Sequence, residues 1–204
     1  MTELNIDIID HIMLITLNRP DIHNAISHKS MIDELIEALN IANQDENIRA
    51  LILTGAGKSF CAGGNVKDMR DKTDMFSGNT STIEQGYKQG IQRIPLAFAR
   101  LDVPIIAAIN GAAVGAGFDM TMMCDIRIGS ESARFAESFV KLGLIPGDGG
   151  AWFLPRKIGP ARAAQMALTG TMIDAKTALD WGIISECLSP EKLNRFAQDF
   201  LPTR

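Results

Sequence analysis

The chain has 204 residues, 46% of them hydrophobic and 22% charged, with a formal net charge of −4. That composition suits one globular domain, about residues 4–188 at its core, and lacks the basic stripe by which a protein grips a phosphate backbone. No run of about 18 apolar residues is present to span a membrane, and the opening "MTELNIDIID" has no basic region, so neither a signal nor a transit peptide is expected. Three cysteines (Cys61, Cys124 and Cys187), none paired at metal-ligand spacing, predict a reducing, cytoplasmic setting.

In chain order, "HIMLITLN" (11–18) is β-branched and apolar and predicts a strand. Ser27 is placed to cap a helix in which Met31, Leu35, Leu39 and Ala42 form the apolar stripe. "IRALILTG" (48–55) is wholly apolar, as a parallel strand buried on both faces must be. A glycine-rich bend, "CAGGNV" (61–66), then leads toward a helix, and the polar stretch 70–90 predicts a mobile loop. Residues 91–101 read as helix and "PIIAAIN" (104–110) as a second buried strand. A second small-residue bend, "GAAVGAGF" (111–118), opens the next helix. A strand "IRIG", the segment "RFAE", the loop "GLIPGDGG", helices at 160–169 and 174–181 with Asp174 as cap, and a final helix from about residue 190 complete the pattern. Alternating apolar strands and helices predict an α/β fold with a largely parallel sheet.

Each of the two bends follows a buried strand and precedes a helix, so each offers unpaired N–H groups where negative charge is favoured. One N–H from each would hold a single oxyanion, an arrangement in which the loss of one donor typically costs about 10²–10³ in rate. Taken singly, either bend also reads as a tight turn. The second is not a dinucleotide fingerprint, because Gly111, Gly115 and Gly117 miss the required spacing.

"LNRPDIHNAI", "GAGKSFCAGGNVKDM", "PIIAAINGAAVGAGFDMTMMCDIRI" and "FAESFVKLGLIPGDGGAWFLPRKIG", in that order, resemble the crotonase, or enoyl-CoA hydratase/isomerase, family. The resemblance implies a crotonase-like α/β fold of repeated ββα units in two roughly perpendicular sheets, with the C-terminal helical part missing here. It implies an acyl-CoA thioester as substrate, coenzyme A as part of that substrate, no permanently bound cofactor, and a homotrimer or homohexamer. By position, the thioester oxygen would sit between the amides of Gly64 and Ala116. Ala62, Asn65, Val66 and Lys67 match one wall of the coenzyme A channel, and Ile22 and His23 match the other. Asn65 replaces a usual aspartate and Ala116 a usual glycine.

Family hydratases use two glutamates. The first position is Asp119 and the second is Phe139, which neither takes a proton nor orients water, so hydration is disfavoured and aspartate-mediated isomerisation favoured. Two acids lie near enough to compensate. Asp148, in "PGDGG", is preferred because glycines around it leave room for substrate. Glu137 precedes Phe139 by two residues, about 200° around a helix, and is set aside on that ground, although in a loop the angle does not apply. A simple helix-start acid at Asp119 and a turn aspartate at Asp148 are the plainer roles for these two residues. Two rival functions stand beside isomerisation: a non-catalytic acyl-CoA-binding or scaffold subunit, and a CoA-thioester decarboxylase or hydrolase.

Overall fold

A computed structural model describes residues 2–199. Two sheets carry the fold, a six-stranded one in the order β1-β2-β3-β5-β7-β10 and a four-stranded one in the order β4-β6-β8-β9. The strands are β1 (Leu4–Ile9), β2 (Ile12–Leu17), β3 (Ala50–Gly55), β4 (Ser59–Cys61), β5 (Ile105–Ile109), β6 (Ala112–Val114), β7 (Ile126–Ser130), β8 (Arg134–Ala136), β9 (Ile173–Asp174) and β10 (Glu186–Leu188). The helices are α1 (Lys29–Gln44), α2 (Val66–Asp71), α3 (Thr80–Gln89), α4 (Arg93–Phe98), α5 (Ala116–Met123), α6 (Gly150–Ile158), α7 (Pro160–Thr169), α8 (Ala175–Asp180) and α9 (Pro190–Asp199). Among the described residues no helix is long and apolar enough to cross a membrane.

Three ββα units repeat along the chain: β3-β4-α2, β5-β6-α5 and β7-β8-α6. In each, the first strand joins the large sheet and the second the small one, and within each sheet these strands pair in parallel. The large sheet is apolar on both faces because both are covered. Leu51, Leu53, Ile105, Ala107 and Ile109 point into the main core, while Ile52, Ile106, Ala108 and Ile128 form a second layer closed by Leu193 of α9. That period-2 division explains why β3 and β5 read as unbroken hydrophobic runs.

Four sequence expectations are corrected. Residues 4–9, unassigned from sequence, form β1, which pairs antiparallel with β2 through a turn whose Asp10 and His11 adopt positive φ of 45° and 74°. β4, leading into the first bend, and β6, inside the second, are unpredicted strands of three residues, too short for any periodicity to reveal. The stretch 70–90 is mostly helical: Asn79 caps α3 by accepting from the Thr82 amide at 3.0 Å. Ile83 and Tyr87, one turn apart, then face an apolar groove. Finally, Ser27 does not cap α1, whose N-cap is His28 without a side-chain bond. Its hydroxyl accepts from the Asn65 amide at 2.5 Å.

The segment 19–27 is tied to the first ββα unit by Asn24, which is fully buried in a left-handed conformation (φ 57°). Its amide nitrogen faces the carbonyls of Ala56 (2.9 Å), Ser59 (2.9 Å) and Phe60 (3.2 Å), and its oxygen accepts from the Arg19 amide at 2.8 Å. Alanine there strands several buried backbone groups. Asn24→Ala is therefore expected to lower stability by about 2–4 kcal/mol, read from urea unfolding; an unchanged midpoint would contradict this role.

Candidate active site

Because β4 and β6 are parallel neighbours, the bends that follow them leave the same edge of the small sheet. The first bend is held from outside. The Ala62 amide donates to His23 O at 3.0 Å, and the Ile26 amide to Gly63 O at 2.9 Å. Asn65 is held by Ser27 and accepts from the Lys67 amide at 3.1 Å, starting α2. Gly63 takes φ +79°, and a Cβ there would lie 3.1 Å from the Ala116 nitrogen, so the two bends touch. In the second, Gly115 turns the chain at φ 53° and its amide donates to Ala136 O at 2.8 Å. Ala116 is then the first residue of α5, where no helical acceptor lies one turn back. Gly64 makes no hydrogen bond through its amide among the described residues.

Next to these bends three acids are buried together. Asp119, in the first turn of α5, is 0% exposed; Glu137, just after β8, is 1% exposed; Asp148, before α6, is 4% exposed. A Cβ on Gly150 would overlap both Asp119 Oδ1 and Glu137 Oε1, so glycine at the start of α6 lets the two carboxyls converge. No ion pair among the described residues includes any of the three. Both Asp119 oxygens, Glu137 Oε2 and Asp148 Oδ1 lack a donor when all are ionised. Between two carboxyls a hydrogen bond exists only if one keeps its proton, and burial enforces that. Glu137 is pushed up to about 10, by burial first and then by the Asp119 charge. Asp119 rises to about 7, mainly by burial, with the Glu137 hydrogen bond pulling it down and the Asp148 charge pushing it up. Asp148 rises to about 6 by burial.

A largely apolar groove of about 410 Å³ is lined by Val66, Met69, Phe76, Ile83, Tyr87 and Leu144, with Arg70 and Lys72 at its edge. Met69 reaches under the first bend, where a Cβ on Gly64 would lie 2.6 Å from its methyl group. Tyr87 connects the groove to the acids: its hydroxyl is raised by burial and by the Asp148 charge. The Phe139 ring lies against Gly115, 3.8 Å from where a Cβ would stand.

The enoyl-CoA hydratase/isomerase family model matches residues 7–201. The chain belongs to that family. It is 40% identical over 188 residues to the 1,2-epoxyphenylacetyl-CoA isomerase of Escherichia coli K12, covering 92% of this chain and 70% of that relative. It is 37% identical to the (E)-benzylidenesuccinyl-CoA hydratase of Thauera aromatica, covering 97% and 74%. Among solved structures, an enoyl-CoA hydratase from Bacillus anthracis superposes with a TM-score of 0.89 at 33% identity, covering 98% of this chain and 75% of that one.

In this enoyl-CoA hydratase/isomerase family member, Gly64, Ala116, Asp119, Asp148 and Phe139 all gather at one edge of the small sheet. His23 is bonded to the Ala62 amide through its carbonyl, with Ile22 just before it in the chain, while Val66 and Lys67 lie exposed on α2. Glu137, set aside on helical geometry, is brought back by the structure. β8 ends at Ala136 and the following 3-10 turn starts only at Phe139, so Glu137 is on no helix and the 200° separation does not arise. No local signal marks it, because the three-residue β8 before it is too short to show a period. Asp148 does not cap α6, whose N-cap is Gly149. Trp152, which from sequence suits pocket lining or core, is 60% exposed and stacks under Arg156 at 3.2 Å.

Asp148 has an ordinary value of 3.8 and rises to about 6 in the fold. The folded protein therefore binds this proton more tightly than the unfolded chain. That stabilisation is complete below about pH 4 and is lost as pH rises through 6. Relative to Asp148→Asn, the wild-type protein is expected to lose about 3 kcal/mol between pH 4 and 8, measured by urea unfolding across the range. Parallel pH–stability curves for the two proteins would contradict this.

Proposed function

We propose that this acyl-CoA enzyme isomerises enoyl-CoA thioesters through an enolate. The amides of Gly64 and Ala116 receive the thioester oxygen. Asp119 takes a proton from the α carbon: the C–H bond breaks and its electron pair moves toward the oxygen, whose negative charge the two amides stabilise. Return of the proton to the γ carbon shifts the double bond. Burial raises the basicity of Asp119 and the Asp148 charge adds to it, which suits reversible proton transfer near neutral pH. The observation that carries the reading is a carboxyl sealed from solvent, its proton affinity raised by that burial, beside the two touching bends. An aromatic ring, Phe139, stands where a hydratase would place its second acid.

The coenzyme A moiety belongs to the substrate and no permanent cofactor is invoked. Ala62, Asn65, Val66 and Lys67 form one wall of its channel, and Ile22 and His23 the other. The groove lined by Val66, Met69, Phe76, Ile83 and Tyr87 takes the acyl chain. Isomerisation is preferred over decarboxylation or thioester hydrolysis because proton transfer needs no acid or water at position 139. The relatives support the CoA-thioester class and include both an isomerase and a hydratase by name, so the preference rests on the residues. A homotrimer or homohexamer in the cytoplasm completes the proposal.

The protein is to be incubated with a 3-enoyl-CoA and a 2-enoyl-CoA and the products followed. Isomerisation is expected to outpace hydration, Asp119→Asn to slow it by about 10²–10⁴, and Phe139→Glu to raise hydration. Fast hydration that survives both Asp148→Asn and Glu137→Gln sinks the isomerase reading, and binding without turnover of either thioester favours a non-catalytic subunit.

A further inference from the structure

We infer that Glu137 is a positioning residue that shares one buried proton with Asp119, so that the pair meets substrate as a single negative charge. The inference rests on the isomerase reading for its catalytic consequence, but not for the shared proton itself.

The geometry is specific to these two groups. Asp119 comes from α5 and Glu137 from the turn after β8, and an oxygen of each occupies the space where a Gly150 Cβ would stand, at the start of α6. Both are essentially sealed from solvent, at 0% and 1% exposure. Among the described residues no ion pair offsets a second ionisation. The groups facing the pair are Asp148 from the loop before α6 and, beyond it, Tyr87 of α3, each neutral or negative. Cys61 of β4 is held neutral by burial. Arg93 of α4 is engaged with Asp33. Two buried like charges in contact do not both ionise, so one proton stays between them.

This arrangement gives Asp119 what a lone buried carboxylate lacks. Glu137, protonated, donates to the Asp119 carboxylate and keeps it a usable base near pH 7 despite its burial. When Asp119 takes the substrate proton, the carbon–hydrogen bond breaks, an oxygen–hydrogen bond forms, and the pair then holds two protons and no charge. Return of one proton to the γ carbon restores the single negative charge. The net count of protons on the protein is unchanged by turnover.

Two measurements test this. Infrared titration of the protein is expected to show a protonated-carboxyl band that persists at pH 8, survives Asp148→Asn and is lost in Glu137→Gln. Absence of that band from the wild-type protein at pH 8 overturns the shared proton, whether or not the protein isomerises anything. The second measurement is the acid limb of the kcat/KM profile. Glutamine keeps a donor toward Asp119, so Glu137→Gln leaves the limb near its wild-type position, whereas Glu137→Met moves it upward by about one pH unit or more. A purely structural residue would lower the melting temperature in both variants and move the limb in neither, and that result overturns the inference. A protein that keeps the band yet turns over no enoyl thioester refutes the isomerase reading while leaving the shared proton standing.

Discussion

The site depends on one constraint, the parallel pairing of three very short strands. β4, β6 and β8 lie side by side in the order in which they leave the large sheet, and all three run the same way. Whatever follows each strand therefore emerges at the same edge. After β4 comes the bend with Gly64, after β6 the bend with Ala116, and after β8 the turn with Glu137. Three residues separated by some seventy positions of chain become neighbours through strand pairing alone. This is the general behaviour of parallel sheets, whose carboxyl ends gather loops into one crevice.

Glycine makes the crevice tight. A side chain at Gly63 would press on the neighbouring bend, and one at Gly150 would displace both carboxyls of the acid pair. These positions trade backbone entropy for approach distance. Gly63 lets two bends touch, and Gly150 lets a helix terminus descend onto Asp119. The cost is carried by the rest of the fold. The doubly covered large sheet, its two apolar layers and the buried Asn24 anchor give the rigidity that keeps unpaired acids from relaxing toward water.

Placing three acids in such a crevice opposes folding at neutral pH, since no cation is paired with them. The same desolvation that weakens the fold raises their proton affinities above the usual carboxylate range. The three differ although their chemistry is alike. Asp148, with burial alone acting on it, stays lowest. Asp119, burdened by burial but relieved by a neighbour's hydrogen bond, is intermediate. Glu137, for which burial, the neighbouring negative charges and the hydrogen bond to Asp119 all favour the protonated form, is highest. Environment separates one chemical group into distinct roles. The Phe139 ring packs against Gly115 at this edge.

The long elements and the two glycine bends were legible in the sequence because their signals are local. Helix α7 (Pro160–Thr169) starts on proline and ends before glycine, Asp174 caps α8, and β3 and β5 announce burial on both faces by composition. The candidate pair Asp119 and Asp148 was legible as well, each being an acid set among apolar or glycine residues. Strands of three residues carry no readable period, so β4, β6 and β8 were hidden, and with them the position of Glu137. Ser27 looks like a helix cap by its neighbours and instead holds the Asn65 amide across a distance of 38 residues. Residue type and short-range pattern thus determined which chemistry is present and which segments carry it. Only the tertiary structure decided which acids meet, because proton affinity and contact depend on packing between segments that the linear order keeps far apart.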